Sequence, residues 1–372
     1  MEKNILIIAG EPSGDLHASK LAGELKSLLP ETTLWGVGGD KMASRGVELV
    51  EHIKNFSMVG VWEVILKLAV IRKQFAHILS EVDARRPSLA ILVDYPGFNL
   101  KIARELKKKG IPVAYYIIPQ VWAWGKGRIN QLRDFTDKAL VLFEFEEKLM
   151  RENGVNCSFV GHPLLDDRYT GEKEILSPGA AIALLPGSRI SEIEKLFPIM
   201  LDAAEKMNAS RDNIRFIVAE NSNIDEARYS AAYAAHPGLE IIRMKDRTQE
   251  ALANADFALV TSGTATLEAA ITGVPMIITY ITSPVTAFLF FKFVRLPYIG
   301  LVNFIAGRKI VPELLQEDAS PEQMASLALR TMDDPGQMRK IKDDLSQVKD
   351  SLGGPGASHR AARAIAEMLQ EV

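Results

Sequence analysis

The run ALVTSGTATLEAAITGVPMII, Ala258–Ile278, places the tightest limit on what this chain can fold into. An apolar triplet, Ala258–Val260, enters the polar turn Thr261-Ser262-Gly263-Thr264, and the Ala- and Leu-rich stretch Ala265–Thr272 favours a helix after it. Gly273 suits the left-handed residue that ends a helix, and Pro275–Ile278 reads as a second strand. Strand, turn, helix and strand make a βαβ unit. The turn leaves backbone N–H groups and the positive helix end facing outward, an arrangement that suits a phosphate. With Thr264 as N-cap, Glu268 falls one residue past the position a capping box would use, which leaves it able to accept hydrogen bonds from a ribose diol. The competing reading is an ordinary βαβ unit with a solvated Glu.

At 372 residues the chain is too long for one typical core, so two domains are expected. Its 47% hydrophobic and 24% charged residues are those of a soluble globular protein. A net charge of -3 gives no global attraction to nucleic acid. The single Cys157 excludes an internal disulfide framework and fits a reducing compartment, so a cytoplasmic chain is expected. NILIIAG near the start is followed by Glu and Pro, which reads as a first strand, not a signal peptide. No window reaches the roughly 20 apolar residues of a membrane-spanning helix.

Asn4–Ala9 predicts a strand, Gly10–Asp15 a loop and Leu16–Leu29 a helix. GEPSGD matches neither G-x-G-x-x-G nor G-x-x-x-x-G-K-[ST], which removes a dinucleotide or Walker-type site. The loop offers Glu11, Ser13, Gly14, Asp15 and then His17, a dense set of acid/base groups at the carboxyl end of a first strand. Helix capping by Ser13 or Asp15 is the alternative. Met58–Leu79 is apolar with Lys67, Arg72 and Lys73 interspersed, and reads either as a core helix or as a helix meeting lipid. Leu89–Val93 predicts a strand ending in Asp94-Tyr95-Pro96-Gly97-Phe98-Asn99, which puts Asp94 at a sheet edge where a general base would stand. PQVWAWGKGR, with Lys126 and Arg128, reads either as a ligand-holding aromatic loop or as an apolar plug.

Asp166–Gly179 is polar with Gly and Pro, and the linker is placed there. The alternation then restarts: strand Ala181–Leu185, loop Pro186-Gly187-Ser188-Arg189, and a helix opened by a capping box at Ser191-x-x-Glu194. That box leaves Ser188 and Arg189 free, and a guanidinium beside a Gly-Ser turn is a good diphosphate partner. Phe288, Phe290, Phe291 and Phe293 with Lys292 and Arg295 are too apolar for a comfortable surface and too few to span a bilayer, which suits its headgroup boundary, with a buried core helix as the alternative. Gly353–Leu369 opens with a Gly-Pro break and ends in a helix.

Assembled, the chain resembles the lipid-A-disaccharide synthase family over essentially its full length. AGEPSGDLH (Ala9–His17), VDYPGFN (Val93–Asn99), PQVWAW (Pro119–Trp124), FVGHPL (Phe159–Leu164), LPGSR (Leu185–Arg189), TSGTATLEAAITGVPMI (Thr261–Ile277), LVNFIAGR (Leu301–Arg308) and GASHRAA (Gly356–Ala362) carry the resemblance. It implies an α/β protein of two Rossmann-like domains facing across a cleft, the GT-B glycosyltransferase architecture. The expected parts are an acceptor domain over 1–168, a UDP-sugar donor domain over 169–345, and a final segment, 346–372, whose helix packs back on the first domain.

The implied reaction is inverting transfer of 2,3-diacylglucosamine from UDP-2,3-diacylglucosamine to 2,3-diacylglucosamine 1-phosphate (lipid X), giving lipid A disaccharide 1-phosphate and UDP, with no metal or other cofactor. By motif, Glu268 binds the UDP ribose and Asn303 the nucleotide. Ser188, Arg189, Ser262, Gly263 and Thr264 complete the donor site. Asp94 is the favoured base, with Glu11, Asp15 and His17 as rivals. Many relatives carry a second Asp where this chain has Gly97. Ser13, Gly14, Asn99 and Trp122 are expected on the acceptor side. Four acyl chains call for a lipid-facing rim, assigned to Trp62, Phe288, Phe291, Lys292 and Arg295, which implies peripheral attachment to the cytoplasmic face of an inner membrane. A homodimer is left open. Another UDP-sugar enzyme of the same fold, a lipid-linked glycosyltransferase or a UDP-N-acetylglucosamine 2-epimerase, is the nearest alternative.

Overall fold

Apolar runs without alternation, such as NILIIA and LAILV, become strands buried on both faces of a parallel sheet. The computed structural model describes residues 3–56, 63–122, 125, 127–167, 179–283 and 297–370. Its chain divides into two units, Met1–Asp167 with Leu352–Val372, and Arg168–Ser351.

In the first unit the strands are β1 (Asn4–Ala9), β2 (Thr33–Gly38), β3 (Glu48–His52), β4 (Leu89–Val93), β5 (Val113–Tyr116), β6 (Lys138–Val141) and β7 (Cys157–Phe159). They lie in the order β3-β2-β1-β4-β5-β6-β7. Helices α1 (Pro12–Leu28), α2 (Asp40–Ala43), α3 (Glu63–Arg85), α4 (Pro96–Lys108), α5 (Gly127–Phe135) and α6 (Glu144–Glu152) connect them. The strand order reverses between β1 and β4, and the register Ala9↔Val93 sets their carboxyl ends side by side. Open sheets of this kind hold ligands at that reversal. The described part of α3 behaves as a core helix. Ile78 and Val82 are buried and Ile71, Phe75 and Leu79 pack against the same core, one face at helical spacing.

One boundary differs from expectation. α1 begins at Pro12, not Leu16, because Pro presets the helical φ and needs no N–H partner in the first turn. Ser13, Gly14 and Asp15 therefore sit on a helix instead of in a loop, joining His17, which was expected there.

The second unit repeats the pattern with β8 (Ala180–Leu185), β9 (Ile214–Glu220), β10 (Ile241–Lys245), β11 (Phe257–Thr261), β12 (Met276–Tyr280) and β13 (Glu313–Leu315), in the order β10-β9-β8-β11-β12-β13. Its helices are α7 (Ile190–Ser210), α8 (Glu226–Ala234), α9 (Thr248–Ala253), α10 (Ala265–Thr272), α11 (Leu301–Ala306), α12 (Pro321–Met332) and α13 (Pro335–Ser351). The opening stretch folds as its sequence predicts: α10 spans the expected residues, and Gly273 ends it at φ 73°.

The final helix, α14 (Ala357–Gln370), returns to the first unit and packs along α1. Ala357, Ala361, Ala362, Ile365 and Leu369 form its buried face, opposite Ala18, Leu21, Ala22 and Leu25. Burying Ile365 and Leu369 contributes about 1.5–3 kcal/mol each. Asp166 caps the helix start, accepting the N–H groups of Gly356, Ala357 and Ser358 at 2.8, 2.8 and 2.9 Å. Among the described residues, no helix is long and apolar enough to cross a membrane.

Candidate functional site

In the first unit, Gly10 follows β1 and Asp94 follows β4, and the register makes them neighbours. Asp94 and Tyr95 both take left-handed backbone, φ 48° and 47°, which costs a non-glycine residue on the order of 1–3 kcal/mol. Hydrogen bonds hold that strain in place. The Asp94 carbonyl accepts Asn99 Nδ2 and the Tyr115 hydroxyl, both at 2.7 Å. Gly10 completes the support, since a Cβ there would lie 2.2 Å from the Tyr95 ring. Burial, and then repulsion from Glu11, raises the Asp94 pKa to about 6. A carboxylate in this range is ionised at neutral pH and still basic enough to take a proton.

The rival bases are placed otherwise. Asp15 is buried, and its carboxylate accepts Gly39 N at 2.7 Å, Lys41 N at 3.2 Å and Met42 N at 3.1 Å. It caps α2 with three of its roughly four acceptor sites, a bracing role in place of the rival-base role expected for it. Burial, then the charge of Lys20, lowers the His17 pKa to about 4, leaving the ring neutral and weakly basic at pH 7. Glu11 is exposed at the start of α1, beside Asp94, and Ser13 is exposed in the first turn of the same helix.

Asn99 is fully buried, with Nδ2 donating to Val93 O at 3.1 Å as well as to Asp94 O. Its side chain supports the Asp94 backbone from below, so the acceptor contact expected of it is corrected to a positioning role. Gly14 is buried against β1 and β4, with Ala9 Cβ 3.5 Å and Val93 O 3.7 Å from where its Cβ would stand. Trp122 donates its indole N–H to Glu146 Oε1 at 3.0 Å and meets Phe145 edge-on at 5.5 Å. Glu146 is itself buried, and burial raises its pKa to about 7 against the opposing hydrogen bonds of Trp122, Leu142 and Phe143. Sequence reasoning missed Glu146 and Tyr115. Both lie near carboxyl ends of strands, where that position was the available signal.

In the second unit the register Leu185↔Val260 aligns the ends of β8 and β11 at the strand-order reversal. A pocket of about 300 Å³ opens there, lined among others by Ser188, Arg189, Ser262, Gly263, Thr264 and Glu268. Six of the seven expected donor-site residues thus converge on one cavity. The positive end of α10 stands at its wall through Thr264 and Ala265, while Thr266 N and Leu267 N already donate to Gly263 O at 3.1 Å and Thr264 O at 2.9 Å. The buried Thr261 hydroxyl, also in the lining, has no hydrogen-bond partner.

The loop before α7 differs from the predicted capping box. α7 starts at Ile190 with Arg189 as N-cap, and Glu192, not Glu194, closes the turn. Glu192 Oε2 accepts Ser188 N at 3.0 Å and Arg189 N at 3.2 Å, and Oε1 meets Arg189 Nη1 at 2.9 Å. A Cβ on Gly187, at φ 113°, would lie 2.4 Å from that carboxylate, so glycine is required. Arg189 is therefore not free as expected, but its side chain is 75% exposed and four of its five donors remain for a ligand.

Glu192, Glu220, Asp246 and Thr248 also line the pocket and escaped sequence reasoning. Glu220 is already neutralised, by Arg243 Nε at 2.6 Å and the Tyr233 hydroxyl at 2.7 Å.

Asn303 is the seventh expected residue and lies elsewhere. It is fully buried. Nδ2 donates to Val311 O at 2.9 Å and Glu313 Oε1 at 2.8 Å, and Oδ1 accepts Ile310 N at 2.8 Å and Val311 N at 3.0 Å. With every donor and acceptor used, its side chain positions the loop after α11 and does not contact a nucleotide in this arrangement. Through Glu313 it fixes Ile299, whose carbonyl accepts the pocket residue Ser262. Trp62, Phe288, Phe291, Lys292 and Arg295 lie outside the described residues, as do Trp124 and Lys126.

The family model described as lipid-A-disaccharide synthetase matches residues 5–368. The chain belongs to this family. It is 40% identical to a lipid-A-disaccharide synthase of Syntrophus aciditrophicus strain SB, over 97% of this chain and 96% of that protein. Among solved structures, a putative UDP-N-acetylglucosamine 2-epimerase from Listeria monocytogenes matches with a TM-score of 0.69 at 13% identity, covering 100% of this chain and 98% of that one. The glycotransferase of kitacinnamycin matches at 0.65 and 16%, covering 98% of each chain. At such identities these structures establish the fold alone, two Rossmann-like domains of the GT-B type. Membership of the lipid-A-disaccharide synthase family makes the chain a hexosyltransferase of lipid A biosynthesis.

Proposed function

We propose that the second unit is the donor unit and that its pocket binds the UDP of UDP-2,3-diacylglucosamine. Asp94 of the first unit, the acceptor unit, is the base for lipid X. In the transfer, the 6-hydroxyl oxygen of the acceptor bonds to the anomeric carbon of the donor as the bond to the diphosphate oxygen breaks. Asp94 takes the hydroxyl proton, and the electron pair leaves with UDP. Arg189 and the start of α10 stabilise the departing charge. Glu268 accepts the ribose hydroxyls. The observation that carries this reading is the convergence of Arg189, the α10 start and Glu268 on one pocket.

The donor and acceptor together carry four acyl chains. Extracting one myristoyl-length chain from a bilayer costs on the order of 10 kcal/mol, so a protein that works at the membrane surface avoids most of that cost. This supports peripheral attachment to the cytoplasmic face of the inner membrane through Trp62, Phe288, Phe291, Lys292 and Arg295. Incubation with UDP-2,3-diacylglucosamine and lipid X tests the activity, with disaccharide and UDP expected in equal amounts. UDP binding without disaccharide would end the reading. Flotation with anionic vesicles tests the attachment, and absence of the chain from the lipid fraction would refute it.

A further inference from the structure

Asp202 and Glu205 stand one turn apart on α7, both exposed. His236, in the turn after α8, has a side chain only 7% exposed, and its ring lies against both carboxylates. Nε2 is 3.6 Å from Asp202 Oδ1 and Nδ1 is 3.4 Å from Glu205 Oε2. Buried ring nitrogens ordinarily find a hydrogen-bond partner, and His236 Nδ1 has none. The turn holds the imidazole still: His236 N donates to Tyr233 O at 2.9 Å, and Leu239 N donates to His236 O at 3.3 Å.

One ligand atom from each of Asp202, Glu205 and His236 lies within 4.8 Å of the other two. Metal–ligand bonds of about 2.1 Å in tetrahedral geometry set ligand atoms about 3.4 Å apart. Rotation of the two exposed carboxylates toward the fixed imidazole closes that difference. Lys206 pairs with Glu322 at 2.8 Å, and the charges of Asp202 and Glu205 also act on its ammonium, so a cation at the site would share these carboxylates with it. A recess of about 390 Å³ borders Asp202 and Glu205 on the side of Lys206 and Glu322, so both carboxylates are open to water.

We propose that Asp202, Glu205 and His236 form a divalent transition-metal site that ties α7 to the turn after α8. One imidazole and two carboxylates suit Zn²⁺ better than Mg²⁺ or Ca²⁺, which prefer all-oxygen shells. Asp202 lies twelve residues along α7 from Ile190, about 18 Å at the helical rise, so the cation acts on the packing of α7 and not on the diphosphate.

The test uses the full chain without an affinity tag, stripped with chelator and titrated with Zn²⁺ by calorimetry at pH 7.5. One saturable equivalent and a rise in Tm are expected. Asp202→Asn and Glu205→Gln, both at exposed positions, are expected to weaken Zn²⁺ binding at least tenfold each and to remove the Tm rise. Absence of saturable binding overturns the proposal. Binding of equal strength in wild type and both variants also overturns it, since the ion would then sit elsewhere.

Discussion

The two units share one strand plan, two strands wound to one side of the first strand and the rest to the other, yet their sheet edges are built to opposite ends. At the β1/β4 edge the chain strains two residues around a half-buried carboxylate, whose pKa burial and then a neighbouring Glu raise to about 6. At the β8/β11 edge the backbone turns through glycine, leaves a cavity, and presents a helix start beside an exposed guanidinium. On the function proposed above, the first edge takes up a proton and the second holds a polyanion. The scaffold sets where a ligand meets the sheet; a handful of loop residues set which chemistry occurs there.

The contrast breaks most sharply at Asp94. Asp94→Asn is expected to lower turnover by about a thousandfold or more, while UDP affinity by calorimetry stays at the wild-type value. Because the raised pKa disfavours the ionised form, wild-type kcat/KM should climb tenfold per pH unit below about 6 and level off above it. The sign for stability is opposite: ionising Asp94 destabilises the fold as pH rises from the unfolded value through about 6, so Asp94→Asn should raise Tm at pH 8. Unchanged turnover in that variant would move the base to Glu11.

On the other edge, Arg189→Ala should weaken UDP about tenfold, the value of a charge-assisted hydrogen bond of about 1.5 kcal/mol on a largely exposed side chain. Equal UDP affinity would remove Arg189 from the diphosphate site.

Asn303→Ala separates positioning from contact. Loss of a buried, fully bonded amide should cost the fold about 2–3 kcal/mol in denaturant unfolding. A stable variant with selectively lost UDP binding would restore a direct contact.

The smallest effect is expected at Gly97. Nothing lies within 4 Å of a Cβ added there, and the residue is in the first turn of α4. Gly97→Ala should stabilise by about 0.5 kcal/mol with activity unchanged. A large loss of activity would mean that the open space above Gly97 is used by substrate.

Which parts were legible in the sequence follows from how far each signal reaches along the chain. Strands and helices were legible because their pattern is local, and α10 with Gly273 was read to the residue. That Arg189, Ser262–Thr264 and Glu268 would share one pocket was legible because all stand at strand ends or helix starts. Asp15 was misassigned because its acceptors' partners, Gly39 and Met42, are distant in sequence. Asn303 was misassigned for a related reason: a polar residue in a motif looks the same whether it touches a ligand or braces a loop. At α7 two boxes were available, Arg189 with Glu192 and Ser191 with Glu194, and the one that also satisfies the N–H groups of the Pro-Gly-Ser loop won. The left-handed pair at Asp94 and Tyr95 left no trace in the sequence, since neither residue is glycine.

The return of α14 to α1 has a consequence for how the protein is made. The second unit is one continuous segment, whereas the first is missing a helix and the partner of Asp166 until residues 356–370 have been synthesised. Domains ordinarily complete themselves in N-to-C order during synthesis. Here the order is inverted: the later-encoded unit has all its residues first, and the earlier one waits with the apolar face of α1 uncovered, a nascent-chain interval in which a chaperone would find something to hold.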